Sequence, residues 1–256
     1  MNHLISIITP SFNAEKFISE TIISIQKQSY TNWELIIVDD ASSDKTISII
    51  KEYSNKDYRI KFVKNTINRG AAFCRNLAID LAKGTYLAFL DSDDLWHFQK
   101  LEKQIQFMID NNNSVSFTSY LHIDENGNSL KKRIVALASL SYKKQFKNNY
   151  IGNLTGIYNT EVLGKIISPN LRKRQDWAMW LEAIKRNNKP AIGLQEDLAY
   201  YRVRKNSISS RKINLLKYNF LFYRNYLKHS IIASCYHLLR FLFEYFFVRP
   251  KQIQKL

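Results

Sequence analysis

The chain has little with which to build covalent or metal cross-links. Its two cysteines, Cys74 and Cys235, lie far apart with no C-x-x-C spacing, and His3, His97, His122, His229 and His237 form no metal-ligand pattern. That argues against a disulfide framework and predicts free thiols in a reducing compartment. The N-terminus, Met1-Asn-His-Leu-Ile-Ser-Ile-Ile-Thr-Pro10, lacks a basic n-region and a long apolar core, so it reads as a first strand and not a signal peptide. The chain is accordingly expected to stay in the cytoplasm. Neither G-x-G-x-x-G nor G-x-x-x-x-G-K-S/T occurs. A nucleotide bound here cannot rest in a glycine-rich phosphate cradle and must be held by carboxylates and a metal ion. Acidic residues also run out toward the C-terminus: from Tyr201 onward twelve Lys and Arg face Glu244 alone, in a chain of formal net charge +16. Interleaved with Phe, Tyr and Leu, this basic end suggests an anionic membrane surface or nucleic acid as partner.

What is present is a strand and helix rhythm. Leu4 to Ile8 reads as a strand ended by Thr9-Pro10, and Phe17, Ile18, Ile22 and Ile25 then recur at helical spacing. Glu34 to Val38 repeats the strand and ends in Asp39-Asp40, with Ser43-Asp44 placed to cap a helix through Ile47 and Ile50. Arg59 to Val63 supplies a third strand, and the Gly70 to Lys83 helix is expected to stop at Gly84. Such alternation implies right-handed crossovers and a mostly parallel sheet in an α/β protein of 256 residues. Beyond Trp96 a helix runs through Leu101, Ile105 and Met108, Val115 to Tyr120 is a strand, and Asn126-Gly127 marks a hairpin turn. Lys131 to Tyr150 is basic and has no clear assignment. Ile151 to Tyr158 reads as a strand, Gln175 to Arg186 as a helix, Leu198 to Val203 as a last strand, and the chain from Arg211 as helical. The Ile231 to Val248 stretch is broken by His237, Arg240 and Glu244 and so falls short of a clean apolar run. An interfacial amphipathic helix pair fits it better, with packing on the main domain or a homodimer contact as the alternatives.

The chemistry concentrates in Tyr86-Leu-Ala-Phe-Leu-Asp91-Ser-Asp93-Asp94-Leu-Trp96, an apolar run that stops at three carboxylates. In an open parallel sheet ligands bind beyond the carboxyl ends of strands, and residues two apart on an extended chain point the same way. Asp91 and Asp93 can therefore share one hard divalent ion, Mg2+ or Mn2+, whose shell is completed by substrate phosphates. Asp94 is better explained as a cap for the following helix.

Four stretches together resemble the family 2 glycosyltransferases of GT-A fold: Ser6-Ile-Ile-Thr-Pro-Ser-Phe-Asn13, Trp33-Glu-Leu-Ile-Ile-Val-Asp-Asp-Ala-Ser-Ser-Asp44, Gly70 to Gly84, and Asp91-Ser-Asp93-Asp94. The resemblance covers roughly the first hundred residues. It implies a Rossmann-like nucleotide-binding sheet flanked by helices and an inverting transfer of a sugar from a nucleotide donor, commonly a UDP-sugar, with a divalent cation. Carried over by position, Asp40 would hydrogen-bond the nucleobase with Asp39 beside it, and Thr9 and Pro10 would line the nucleoside. Arg75 would lie near the nucleotide, an ion pair with a nearby Asp being an equal alternative. Asp93 would be the direct metal ligand and Asp91 a ribose partner or the carboxylate behind it. Asp176 matches the catalytic base, although Gln175 stands where the family usually has Glu, and a helix cap is the alternative. Tyr200-Tyr-Arg202-Val-Arg204-Lys-Asn-Ser207-Ile-Ser209 is similar to the family's late Tyr-Arg loop, in which Arg204 would neutralise the leaving diphosphate; a solvated basic loop is its alternative.

The resulting plan is a GT-A unit over 1–210, with a nucleotide-sugar-binding half at 1–96 and an acceptor half at 97–210, and then a basic helical tail at 211–256. The implied partners are a nucleotide-sugar, a saccharide or polyprenyl-linked acceptor, and the inner face of the plasma membrane, with no nucleic acid expected. Two other readings remain open at this point, a metal-dependent nucleotidyl or phosphoryl transferase and a basic membrane- or nucleic-acid-binding protein.

Overall fold

The computed structural model describes residues 3–171, 173–204 and 213–256. Strand and helix alternate through β1 (Ile5–Ser11), α1 (Ile18–Gln26), β2 (Trp33–Asp39), α2 (Thr46–Lys56), β3 (Ile60–Lys64), α3 (Ala71–Leu81) and β4 (Tyr86–Phe89). β1 pairs in parallel with β2 and with β4, and β2 with β3. Every residue of β1, β2 and β4 is buried, so apolar side chains face both sides of the sheet, as in residues 35–38 and Tyr86–Phe89. One face packs Ile5, Ile7, Leu35 and Ile37 on Ile18, Ile22 and Ile25 of α1. The other packs Ile8, Ile36 and Val38 on Cys74, Ala78 and Ile79 of α3.

The second half adds β5 (Leu95–Trp96), α4 (Lys100–Asp110), β6 (Val115–Ile123), β7 (Ser129–Ile134), β8 (Ser139–Leu140), α5 (Tyr142–Gln145), β9 (Ile157–Asn159), α6 (Thr160–Leu163), α7 (Gln175–Asn187) and β10 (Ala191–Arg202). The sheet runs β7-β6-β9-β4-β1-β2-β3, and β9 is antiparallel to both β4 and β6. β10 lies parallel to β6 and antiparallel to β5. The four strands β1 to β4 are thus parallel throughout, and the antiparallel pairs gather on the other side.

Three local expectations are corrected. β1 continues through Thr9-Pro10, with Pro10 opposite Val38. The Ile8 carbonyl accepts from the Leu90 N–H on the β4 side, and Pro10 shares that orientation two residues on, where β4 has already ended. Its missing N–H therefore costs no ladder bond. Gly84 does not stop α3, which ends at Leu81. A Cβ there would lie 2.6 Å from the Ser6 nitrogen and 2.7 Å from the Leu4 oxygen, so the glycine is demanded by close approach to β1. Ile151 to Tyr158 is not one strand, because Asn153–Thr155 forms a 3-10 turn and β9 begins at Ile157.

The tail comprises α8 (Ile213–Leu221), α9 (Ile231–Phe243) and β11 (Ile253–Lys255), with π-turns at Phe222–Tyr226 and Glu244–Val248. β11 pairs with β7 and becomes the outer edge of the sheet. Phe222, Tyr223 and Phe241 pack on Trp177, Ala178 and Leu181 of α7, and the Trp177 and Phe222 rings stack at 4.2 Å. The continuous helical run Ile231–Gln252 spans 22 residues and is, by length and composition, apolar enough to cross a membrane. His237, Arg240 and Glu244, expected to break the run, lie within it, and Glu244 turns inward, where it meets Lys144 and the Tyr150 hydroxyl.

Candidate active site

The buried strand β4 delivers its chain to the rim, and the next four residues fold into a turn closed by the Asp94 N–H donating to the Asp91 carbonyl at 3.1 Å. β5 then pairs with the end of β10, Leu95 opposite Tyr200. That pairing brings the buried Arg202 under the turn. Its Nε donates to the Asp93 carbonyl at 2.8 Å, Nη1 to the Glu125 carbonyl at 2.8 Å, and Nη2 to Glu20 Oε2 at 2.6 Å. The Arg202 N–H donates to Asp94 Oδ1 at 2.8 Å. Asp94 is therefore no helix cap; it fastens β10 to the acidic turn. Burial, and after it the neighbouring Asp93 and Asp91, pushes its carboxyl well above the ordinary range.

Asp91 and Asp93 face different cations. Arg75 Nη2 donates to Asp91 Oδ1 at 3.1 Å, and Arg75 Nη1 reaches Gln175 Oε1 at 3.3 Å. The same guanidinium thus joins the acidic turn to the first residue of α7. Asp93 Oδ2 pairs with Arg204 Nε at 2.8 Å. Burial raises the Asp93 carboxyl, Arg204 opposes that, and Asp91 adds to it. Each carboxylate already has a guanidinium partner, so a divalent ion would have to share them with Arg75 and Arg204. Among the described residues no group of three His, Cys, Asp or Glu could hold a metal ion alone, so any ion here would need oxygens from a substrate.

Asp176 lies in the first turn of α7, and its Oδ2 accepts from Asn149 Nδ2 at 2.8 Å. The residue before the helix is Arg174, in a left-handed conformation with φ 71°, so Asp176 is not the cap residue. Thr9 and Pro10 are buried at the end of β1, and the Thr9 hydroxyl has no hydrogen-bond partner. Asp39 and Asp40 sit at the adjoining end of β2, with their carboxylates already engaged. Asp39 accepts from the Ser42 N–H at 2.9 Å and from its hydroxyl at 2.5 Å. Asp40 accepts from the Arg69 N–H at 2.8 Å, the Gly70 N–H at 2.7 Å and Asn65 Nδ2 at 3.0 Å. Burial disfavours its ionised form, but those donors outweigh it and hold the carboxyl below its ordinary value. An open cleft of about 250 Å³ lies beside Arg204, lined also by Asn13, Glu15, Lys16, Phe17, Asp44 and Glu125.

The structure therefore gathers Thr9, Pro10, Asp39, Asp40, Arg75, Asp91, Asp93, Asp176 and Arg204 along one rim, joined by the Asp91–Arg75–Gln175 bridge. Of the Tyr200 to Ser209 loop, positions 205–209 lie outside the described residues. Sequence reasoning does not single out Asn149 or Arg202. Asn149 sits in the basic stretch with no periodicity, and Arg202 is overshadowed by Arg204 in the same motif.

A parallel sheet with an acidic turn at its rim and a carboxylate at the start of a facing helix has the parts that the resemblance to the GT-A glycosyltransferases led one to expect. Residues 6–165 match glycosyl transferase family 2, and the chain belongs to that family. The teichuronic acid biosynthesis glycosyltransferase TuaG of Bacillus subtilis is 46% identical over 86% of this chain and 87% of its own. The UDP-Glc:alpha-D-GlcNAc-diphosphoundecaprenol beta-1,3-glucosyltransferase WfgD of Escherichia coli is 40% identical over 94% of this chain and 93% of its own. Among solved structures, S. aureus TarS in complex with UDP-GlcNAc superposes with a TM-score of 0.74 at 23% identity, over 96% of this chain and 74% of its own. The Pyrobaculum calidifontis mannosyltransferase PcManGT in complex with GDP-Man and Mn2+ does so at 0.66 and 18%, over 97% and 71%. These likenesses carry the GT-A fold, and family membership sets aside the phosphoryl-transfer reading.

Proposed function

We propose that the chain moves a sugar, with inversion, from a UDP-sugar to a hydroxyl of a polyprenyl-diphosphate-linked saccharide at the inner face of the plasma membrane, in surface-polysaccharide assembly. The observation that carries this is the Arg75 bridge, which sets the acidic turn and the helix start bearing Asp176 against one another. Residues 1–96 take the donor, 97–210 the acceptor, and the tail the bilayer. Thr9, Pro10, Asp39 and Asp40 line the nucleoside, and the unpartnered Thr9 hydroxyl supports a polar ligand there.

Asp93 and Asp91 fit Mn2+ or Mg2+: a desolvated carboxylate beside a second one, both at a strand end, is the donor set such ions prefer. An ion held there with the donor's phosphates would supply Lewis-acid stabilisation of the leaving diphosphate. Asp176, oriented by Asn149, takes the proton of the acceptor hydroxyl as that oxygen bonds to the anomeric carbon. The bond from that carbon to the diphosphate oxygen breaks on the opposite face, and Arg204 meets the charge that develops.

The lipid-facing part of the reading rests on the tail. Ile232, Leu239, Phe243, Phe246 and Phe247 of the Ile231–Gln252 run are exposed, while Phe241 and Glu244 are buried against the body. Gln252 is bonded to Val135 in both directions and β11 continues on the sheet edge. With its far end tied to the body, the run suits lying in the interface with Lys and Arg toward anionic lipid, and not crossing it.

The test is released UDP with UDP-glucose and a GlcNAc-diphospho-lipid acceptor, alongside calorimetric donor binding with Mn2+. Asp176→Asn should keep donor binding and lose about 10²–10⁴-fold in transfer, while Asp93→Ala should lose Mn2+-dependent donor binding. Retained transfer in either variant overturns the assignment.

A further inference from the structure

Arg174 is used by none of the steps above, and its surroundings are unusual for an arginine. It precedes the helix that carries Asp176, yet it belongs as much to the tail. Its guanidinium carbon stands 5.9 Å from the ring of Trp177 on α7 and 5.9 Å from the ring of Phe241 on α9. None of the ion pairs among the described residues includes it. Its Nε is buried without a hydrogen-bond partner. Burial lowers its pKa, opposed by the fields of Asp176, Tyr245 and Tyr223. The side chain is half-buried, so part of the guanidinium stays open to a ligand, while its Nε, shut off from water beside two aromatic rings, is a donor that an anion would complete. Aromatic faces compensate only in part.

The position says which anion. α9 turns Phe241 inward toward Arg174 and turns Leu239 and Phe243 outward, so the cation sits on the inner side of the apolar face assigned to the bilayer. Asp176 lies two residues further along the chain, in the first turn of α7, where the proposed function puts the acceptor hydroxyl. A second guanidinium, that of Arg249, stands 4.8 Å over the ring of Tyr150, next to Asn149, the residue that orients Asp176. From lipid inward the order is apolar helix face, arginine, general base. A polyprenyl-linked acceptor has the same order, hydrocarbon, diphosphate, sugar hydroxyl. Arginine's planar fork suits phosphate oxygens, which it can engage with two parallel N–H donors.

Resting on the reading under Proposed function, we infer that Arg174 binds the diphosphate of the lipid-linked acceptor and so sets the acceptor sugar at Asp176. The residue is a recognition group for the acceptor and takes no part in bond making. Removing its charge should weaken acceptors that carry a diphosphate and spare those that do not.

The full chain in neutral detergent, with UDP-glucose, is assayed on two synthetic acceptors, GlcNAc-α-diphospho-alkyl and the uncharged GlcNAc-α-O-alkyl. For Arg174→Gln the expected result is a KM at least tenfold higher on the diphosphate acceptor with kcat little changed. Kinetics on the uncharged acceptor, UDP binding and thermal midpoint should match the wild type. Arg174→Lys should recover part of the loss. Equal losses on both acceptors would assign the residue a structural role and overturn the inference, as would no loss on either. Weaker binding to phosphatidylglycerol vesicles without acceptor discrimination would make this a lipid-headgroup contact, which also overturns it. Absence of transfer by the wild type to both acceptors would instead overturn the functional reading itself, and this inference with it.

Discussion

At the scale of single residues, the site sets arginines against carboxylates that burial has made reluctant to ionise. Arg204 occupies Asp93 at 2.8 Å, the place a divalent ion would also claim. Arg204→Gln should therefore raise affinity for Mn2+ titrated at saturating UDP by electron paramagnetic resonance, even as sugar transfer falls; unchanged metal affinity would show that the pair does not compete. Lys100 offers a pH signature away from the site. It is fully buried beside the Trp96 ring and donates to Gln104 Oε1 at 2.5 Å, and burial lowers its pKa from 10.5 to about 7. The unfolded chain holds this proton more tightly than the folded one, so the penalty is full below about pH 7 and is relieved as pH rises toward 10.5. Urea unfolding should show stability climbing over that window by an amount on the order of 5 kcal/mol, and Lys100→Met should flatten the climb. The sequence made the Asp91–Asp93 pair legible because both stand at the end of an apolar run. It could not show that Asp94 and Arg202 are fasteners, since their partners lie 108 and 109 positions away.

At the scale of elements, periodicity located the buried strands and the helices on both faces, because each buries a regular stripe. It failed where a third element dictates the backbone. Gly84 resembles a helix stop, but its hydrogen is needed where β4 begins against β1. Gly84→Ala would press a methyl group into backbone at 2.6 Å. A cost on the order of 1–3 kcal/mol is expected in urea unfolding; a shift below a few tenths would mean that the strands separate easily there. Gly156 is similar, a Cβ falling 2.2 Å from the Trp180 ring, and this close approach accompanies the late start of β9. Lys131 to Tyr150 resists assignment because its short elements, β8 and α5, owe their form to contacts with β10 and α7.

At the scale of the whole molecule, the tail is both an outer sheet edge and an exposed apolar surface. Its inner side is secured by Trp177, Phe222, Tyr223 and Phe241, so its outer side can change without disturbing the fold. The double variant Leu239→Glu, Phe246→Glu should lose most sedimentation with phosphatidylglycerol vesicles while keeping thermal midpoint and UDP binding; undiminished vesicle binding would remove the case for this face. High salt should weaken wild-type binding as well, since Lys and Arg meet anionic headgroups. The sequence by itself determined the parallel sheet of the first four strands, the acidic turn and the family, because those depend on local pattern and on short motifs. Only the tertiary structure decided that Arg75 spans from Asp91 to Gln175, that Arg174 stands between the helix of Asp176 and the tail, and that β11 closes onto β7. Each of these joins segments far apart in the chain, and long-range packing leaves no periodicity for a one-dimensional reading to find.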